Sequence, residues 1–412
     1  MRNEELGIRN KERLADQDTI PHSSFLIPNS SKVRLLLDEV PALIDKVFPL
    51  PARFRSSLPK DVAELSRLLT SGRGERGLSY MGHKPLLSAY LRYFLPWNLY
   101  RLCRLLPGLD IALSSGDRVT DLGCGPFSFA AALWICREDL RSVPLEFYCV
   151  DQNRSALEAG KLFFSALGGE NSPWKINTIK GDLKNLKIQN AALVCAVNVF
   201  NEMYGDISRS NENSLALNAQ KASRMLAAYG SASSSFLVVE PGFPRCGEFI
   251  SLLRGAFLEE GVRPLSPCPH DKICPMQGKK RWCHFAFETD DAPQELHRLS
   301  RAAGLPKERA VLSFLFSTKE NCRSENGLEL HGEGQLLRII SDAFPLPYGR
   351  FGRYCCSGRG LALLAGEKNT IEKNTCGSLA NAVIKEERDT KSGALIAGLL
   401  PVGGAKSRKR HE

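Results

Sequence analysis

The chain has 412 residues, 43% hydrophobic and 24% charged, with 55 Lys and Arg against 45 Asp and Glu, a formal net charge of +10. Such a length is too great for one small core and suits two or three units; the ordinary apolar fraction excludes wholesale disorder, and no apolar run reaches the roughly 18–20 residues that span a bilayer. The positive excess favours a polyanionic partner, RNA before membrane, over a merely basic solvated surface.

Residues 1–30 are polar and read as a disordered N-terminus. The opening run MRNEELGIRNKERLADQD carries acids that neither a signal nor a transit peptide tolerates, so a reducing, cytoplasmic setting is expected. There the 13 cysteines should be free or metal-bound. Over 31–110, Leu35, Leu36, Val40, Leu43 and Ile44, then Val62, Leu65, Leu68 and Leu69, recur at helical spacing between prolines and predict a helical unit.

From 111 to 260 strand and helix alternate. Strands are expected at 118–122, 145–151, 176–182, 192–200 and 235–242, with helices between them. The fourth is apolar throughout, as buried parallel strands are. This pattern predicts an α/β, doubly wound Rossmann-like sheet. A cysteine-rich loop follows at 261–290. Residues 291–366 then resume the α/β pattern as a C-terminal part of the core with extra strands. Residues 367–412 are polar, end in KSRKRHE and read as a disordered basic tail.

The turn Asp121-Leu122-Gly123-Cys124-Gly125 follows a strand and precedes a helix. Glycines there let backbone approach a ligand, and the helix N-terminus offers unpaired N–H groups. A dinucleotide fingerprint needs a third glycine where Ser128 stands. S-adenosylmethionine (SAM) instead needs acids at successive strand ends. Asp121 is placed for the methionine ammonium, Asp151 for the ribose hydroxyls and Asp182 for the adenine amine. Phe127, where many SAM loops carry glycine, is a ring that covers the methionine or crowds it out. After the fourth strand, VFNEM lacks the Asn/Asp-Pro-Pro-aromatic motif of amine methyltransferases. Asn201 and Glu202 either orient a target or act as base there, or simply cap the following element.

Cys268, Cys274 and Cys283 crowd into one polar loop, with five and eight residues between them. Zinc sites use closer pairs, iron–sulfur clusters tolerate wider gaps, and His270 and His284 keep zinc open. A fourth ligand comes from Cys355 or Cys356, only one of which can face the loop if they share a strand.

Four motifs in order, DLGCGPFSFAAAL, VFNEM, PCPHDKICP with WCHF, and the late Cys356-Ser357 before Gly360-Leu361, resemble the mitoribosomal small-subunit methyltransferase-like family (methyltransferase-like protein 17 type) and its bacterial relatives. YLRYFLPWNLYRL is similar to the bacterial branch. The resemblance covers about 35–365. It implies a class I SAM-methyltransferase fold with a cysteine-rich metal-binding insertion, and a 4Fe-4S cluster on Cys268, Cys274, Cys283 and Cys356. It also implies association with the small ribosomal subunit and its rRNA, in assembly or translation. Two functions follow as expectations: a SAM-dependent rRNA methyltransferase, or a non-catalytic assembly factor that binds RNA and keeps SAM and the cluster for structure or sensing. A monomer without a membrane partner is expected, with Gly278-Lys279-Lys280-Arg281 set against phosphates.

Overall fold

A computed structural model describes residues 24–70, 80–183, 186, 188–204, 212–278, 281–319 and 334–400. The N-terminal helices are α1 (Ser31–Val47), α2 (Ala52–Arg55), α3 (Leu58–Leu69), α4 (Lys84–Ala89) and, after a π-helical turn at Tyr90–Phe94, α5 (Leu95–Leu105). Ser30 caps α1 by accepting from the Val33 N–H, and Val33, Leu37, Val40 and Ile44 form its buried stripe.

The central sheet runs through β1 (Arg118–Leu122), α6 (Ser128–Cys136), β2 (Leu145–Asp151), α7 (Arg154–Gly168), β3 (Trp174–Lys180), β4 (Ala191–Val197), α8 (Phe200–Met203), α9 (Glu212–Tyr229), β5 (Gly230–Pro241), α10 (Pro244–Glu259), β6 (Arg263–Ser266), β7 (Phe285–Glu288), α11 (Gln294–Ala302) and β8 (Arg309–Thr318). Its order is β3-β2-β1-β4-β5-β8-β6, with β7 also on β8. Strands β1 to β5 pair in parallel and β8 runs antiparallel to β5. The order reverses between β1 and β4, which opens a crevice at the strands' carboxyl ends. Val194, Cys195 and Ala196 of β4 are wholly buried, which explains that strand's apolar run.

The chain then makes β9 (Gln335–Ile339), β10 (Phe344–Pro345), β11 (Phe351–Ser357), β12 (Gly360–Gly366), α12 (Lys368–Lys373), β13 (Leu379–Arg388) and β14 (Leu395–Leu399). These strands form a second sheet, in the order β10-β11-β12-β14-β13-β9, and a β11–β9 pairing closes it into a barrel. Leu337, Ile339, Cys355, Ala362, Leu364, Ala380, Ile384 and Leu395 fill it.

Two expectations need correction. The segment 367–400 is not a disordered tail: α12, β13 and β14 complete the barrel, because the alternating Ala380, Ala382 and Ile384 supply an inner face that composition alone hides. Accordingly, 291–366 does not extend the first sheet throughout, since β9 to β12 belong to the second. Nor is all of 1–30 frayed. Phe25 is buried, its ring edge-on to Phe285 and Phe314 with centroids 4.7 Å away, and the Arg338 guanidinium lies over it. One aromatic worth about 1.5–3 kcal/mol of burial anchors a polar segment. Residues 1–23, 320–333 and 401–412 lie outside the described residues.

Candidate functional site

The crevice at the ends of β1, β2 and β4 holds a cavity of about 250 Å³, lined among others by Gly123, Gly125, Asp151, Asp182, Asn198 and Glu202. Gly123 and Gly125 both have left-handed backbone, φ 64° and 52°. A Cβ on Gly123 would stand 2.7 Å from Val199 Cγ2, so the first glycine is required by conformation and by space. Asp151 accepts the Gly125 N–H at 2.9 Å on one oxygen and the Asn153 N–H at 2.7 Å on the other. Its carboxylate thereby fixes the turn, and its remaining lone pairs stay available to a ligand in the cavity. Burial raises its pKa, and these N–H donors pull it back.

Asp121 sits differently from its expected role. It is 1% exposed and lies outside the cavity lining. One oxygen accepts from the Cys195 thiol at 3.5 Å; no donor among the described residues reaches Oδ2. Burial pushes its pKa up to about 8, which favours the protonated carboxyl behind the turn. Phe127 does not crowd the cavity either. It takes the left-handed φ of 64° that a glycine would and turns its ring against α7, where a Cβ on Gly160 would meet it at 2.6 Å.

After β4 the expected pair separates. Glu202 is on the cavity wall, whereas Asn201 is buried and outside the lining. Glu240, at the end of β5, accepts the N–H groups of Val199, Phe200 and Asn201 at 3.1, 2.8 and 3.2 Å. It thus binds the positive end of the short helix α8 and holds Glu202 in place. Two wall residues were not anticipated. Asn198, the first residue past β4, has φ 57° and gives its Nδ2 to Asn98 Oδ1 at 3.4 Å; no donor among the described residues reaches its Oδ1. Tyr90, from the helical unit, accepts from Asn98 Nδ2 at 3.4 Å; burial, then Glu202 and Asp151, raise its phenol pKa. Asn198 falls inside the fourth strand expected over 192–200, whereas β4 ends at Val197; the one polar residue in that apolar run is the signal that marks its end. Tyr90 gave no local signal, because it reaches the cavity only through packing of the helical unit.

A second, smaller cavity of about 20 Å³ lies where the first sheet meets the barrel. Cys268, Cys274, Cys283 and Cys356 all line it, with the buried Arg254 of α10 and Arg338 of β9. Cys355 instead faces the barrel core, as alternation along β11 demands. Burial pushes the Cys268 thiol up to about 11, Arg254 pulling it back; burial followed by the other cysteines raises Cys283 and Cys356. Arg338 donates to the carbonyls of Pro267 at 2.7 Å and Gly377 at 2.6 Å. His270 Nε2 stands 3.3 Å from Cys356 Sγ. His284 does not line this cavity; its ring stacks on Trp282 with centroids 5.0 Å apart. Among the described residues, no three His, Cys, Asp or Glu side chains are close enough to share one ion. Arg281 is exposed and donates to the Ser392 carbonyl at 3.0 Å, whereas Lys279 and Lys280 lie outside the described residues.

Five parallel strands, an antiparallel neighbour, a glycine turn after β1 and an acid ending β2 together define a class I SAM-methyltransferase fold. The chain belongs to the family described as mitochondrial small ribosomal subunit Rsm22, whose sequence model matches residues 115–341. No curated protein matches it. Similar solved structures include a SAM-dependent methyltransferase from Aquifex aeolicus, 12% identical, with 64% of this chain and 98% of that one covered and a TM-score of 0.28. Another, from Thiobacillus denitrificans with S-adenosylhomocysteine, is 14% identical over 54% of this chain and 90% of its own, TM-score 0.31. Geranyl diphosphate C-methyltransferase from Streptomyces coelicolor is 9% identical over 50% and 74%, TM-score 0.30. The fold assignment rests on the strand order, not on these likenesses. No helix among the described residues is long and apolar enough to cross a membrane.

Proposed function

We propose that the protein binds SAM in the crevice between β1 and β4 and acts with the small ribosomal subunit, as a methyltransferase on its RNA. The observation that carries this reading is the shared wall of Gly123, Gly125, Asp151, Asp182 and Glu202 around one cavity, in a chain of the Rsm22 family. Asp151 would take the ribose hydroxyls and Asp182 the adenine amine. Asp121, buried behind the turn and outside the cavity lining, would not touch the ammonium. Glu202, fixed on the wall through α8 and Glu240, is the candidate to orient or deprotonate the acceptor.

The four-cysteine cavity supports a 4Fe-4S cluster as a resident group. Four thiols from the insertion and from β11, distant in sequence, surround one buried space beside two buried guanidiniums. Four thiolates carry more negative charge than a cluster core offsets, and Arg254 and Arg338 are placed to balance the excess. Zinc on the same four thiols, drawn to about 2.3 Å of a single point, is the alternative occupant. The cluster would supply an electron-accepting, structure-ordering centre; the chain supplies its ligands and counter-charges.

The non-catalytic assembly reading is favoured by one observation. Asn201, one of the two expected catalytic groups, is away from the cavity and its N–H serves the Glu240 cap. Transfer of a labelled methyl group from SAM to immature small-subunit RNA decides between the two. Label incorporation, lost in Glu202→Gln, supports the enzyme. Tight subunit binding without transfer leaves the assembly factor.

A further inference from the structure

The second sheet has a topology of its own. Its closed ring runs β9, β11, β12, β14, β13 and back to β9. In chain order these are strands one, two, three, five and four. The third and fifth pair in parallel, Ala362 opposite Leu395 and Leu364 opposite Ala397, and every other neighbour is antiparallel. The helix α12 lies between the third and fourth strands. That combination is the oligonucleotide/oligosaccharide-binding (OB) barrel, which receives single strands across its second and third strands and the loops beside them.

The surface agrees with the topology. The second-strand residues alternate: Cys355 fills the core, Cys356 faces the cysteine cavity, and Tyr354 stands half-exposed on the outer wall. The Phe344 ring lies beside Tyr354 at 5.0 Å. The turn leading into β11 presents Tyr348, 98% exposed, on left-handed backbone of φ 62°. A bulky aromatic held in water on strained backbone has no packing reason to be there. Cations lie at both ends of β11. Arg350 is exposed beside Tyr348; at the other end of β11, Arg359 is paired with Glu386, and Arg281 meets the loop between β13 and β14 through Ser392. Glu387 and Asp389 are the opposing acids nearby. Rings and cations, on an OB barrel, suit bases and phosphates respectively.

We propose that residues 334–400 form an OB-fold that binds single-stranded RNA, with bases on Tyr354 and Tyr348 and the backbone along Arg350, Arg359 and Arg281. The choice of RNA over DNA rests on the small-subunit reading; the choice of a single strand does not. This surface is separate from the SAM crevice, and SAM binding is not needed for it.

The test uses the full chain with a fluorescent RNA of about 12 nucleotides, within the roughly 4–16 that one OB-fold covers. A duplex and a DNA of equal length serve as comparisons, all read by anisotropy. The single-stranded RNA should bind more tightly than the duplex. Tyr348→Ala with Tyr354→Ala should weaken it at least about tenfold. Tyr354→Phe should retain binding, and Arg350→Ala with Arg359→Ala should flatten the salt dependence by about 0.7 for each phosphate no longer neutralised. Tyr348 is exposed, so Tyr348→Ala alone reports on binding even if the double variant misfolds. Unchanged affinity in the tyrosine variants, a preference for duplex or DNA, or no binding by the intact chain would overturn the proposal. Calorimetric SAM binding is measured on the same proteins: RNA binding without SAM binding damages the methyltransferase reading and leaves this one standing.

Discussion

Gly123→Ala isolates what the nucleotide turn requires. Two costs add in this substitution. Left-handed backbone at φ 64° costs an alanine about 1–2 kcal/mol. The new Cβ would also stand 2.7 and 3.2 Å from the two Val199 methyls, where ordinary contact begins near 3.4 Å. Forcing such overlap in a packed site costs about 1–3 kcal/mol. Val199 cannot retreat freely, because its carbonyl accepts from Glu202 and Met203 and its N–H is held by Glu240. The single variant should therefore lose about 2–5 kcal/mol in urea unfolding. Val199→Ala removes the clashing methyls but not the backbone cost. A double-mutant cycle of the two should show coupling of about 1–3 kcal/mol, the double variant being less damaged than the sum. Additivity within about 0.5 kcal/mol would refute the contact and reduce the glycine's role to conformation.

Other consequences follow from the same geometry. Asp121, with its pKa raised to about 8, binds a proton in the folded state that the unfolded chain releases near pH 4. Its contribution is full below the unfolded value and is lost as pH rises through about 8, by up to ~1.4 kcal/mol per pH unit. Urea midpoints should fall over that window in the unmodified protein and less in Asp121→Asn; equal slopes in both would contradict a buried protonated acid. Cys356→Ser should lower metal content and also loosen the barrel from the first sheet, since Cys356 and Arg338 both reach the cavity from barrel strands. Hydrogen exchange that stays unchanged across β9 and β11 would show that the cavity does not join the two. Gly160→Leu should drive the Phe127 ring out of its seat, which a Cβ already meets at 2.6 Å, costing stability measurable as a fall in Tm; a neutral result would place that ring elsewhere.

Much of the first sheet was legible because local pattern and fold agree there. Arg118–Leu122 and Leu145–Asp151 have the bounds their apolar runs predict, and β5 starts five residues earlier only because its serine-rich lead is too polar to read as strand. The barrel was not legible. It is closed by the long-range β9–β11 and β12–β14 pairings, which no local window contains. The sites divide in the same way. Asp151 and Asp182 end or follow strands, where spacing alone puts them at the crevice. Asp121 shares that spacing but points behind the turn, and alternation along β1 does not reveal how deep the turn sits. Tyr90, Arg254 and Arg338 come from elements that meet the sites only after packing. Phe127 was expected to cover the methionine or crowd it out; the Gly160 that makes room for its ring is distant in sequence and gives no local signal.

The central claim is that the crevice at the ends of β1, β2 and β4 is a SAM site built on Asp151. Calorimetric titration of SAM into the full chain, beside Asp151→Ala, tests it most directly. The account predicts saturable one-site binding, weakened roughly ten- to a hundredfold by a substitution that removes a charge-assisted bond worth about 1.5–3 kcal/mol. Absence of binding at millimolar SAM, or the same affinity in Asp151→Ala, would contradict it.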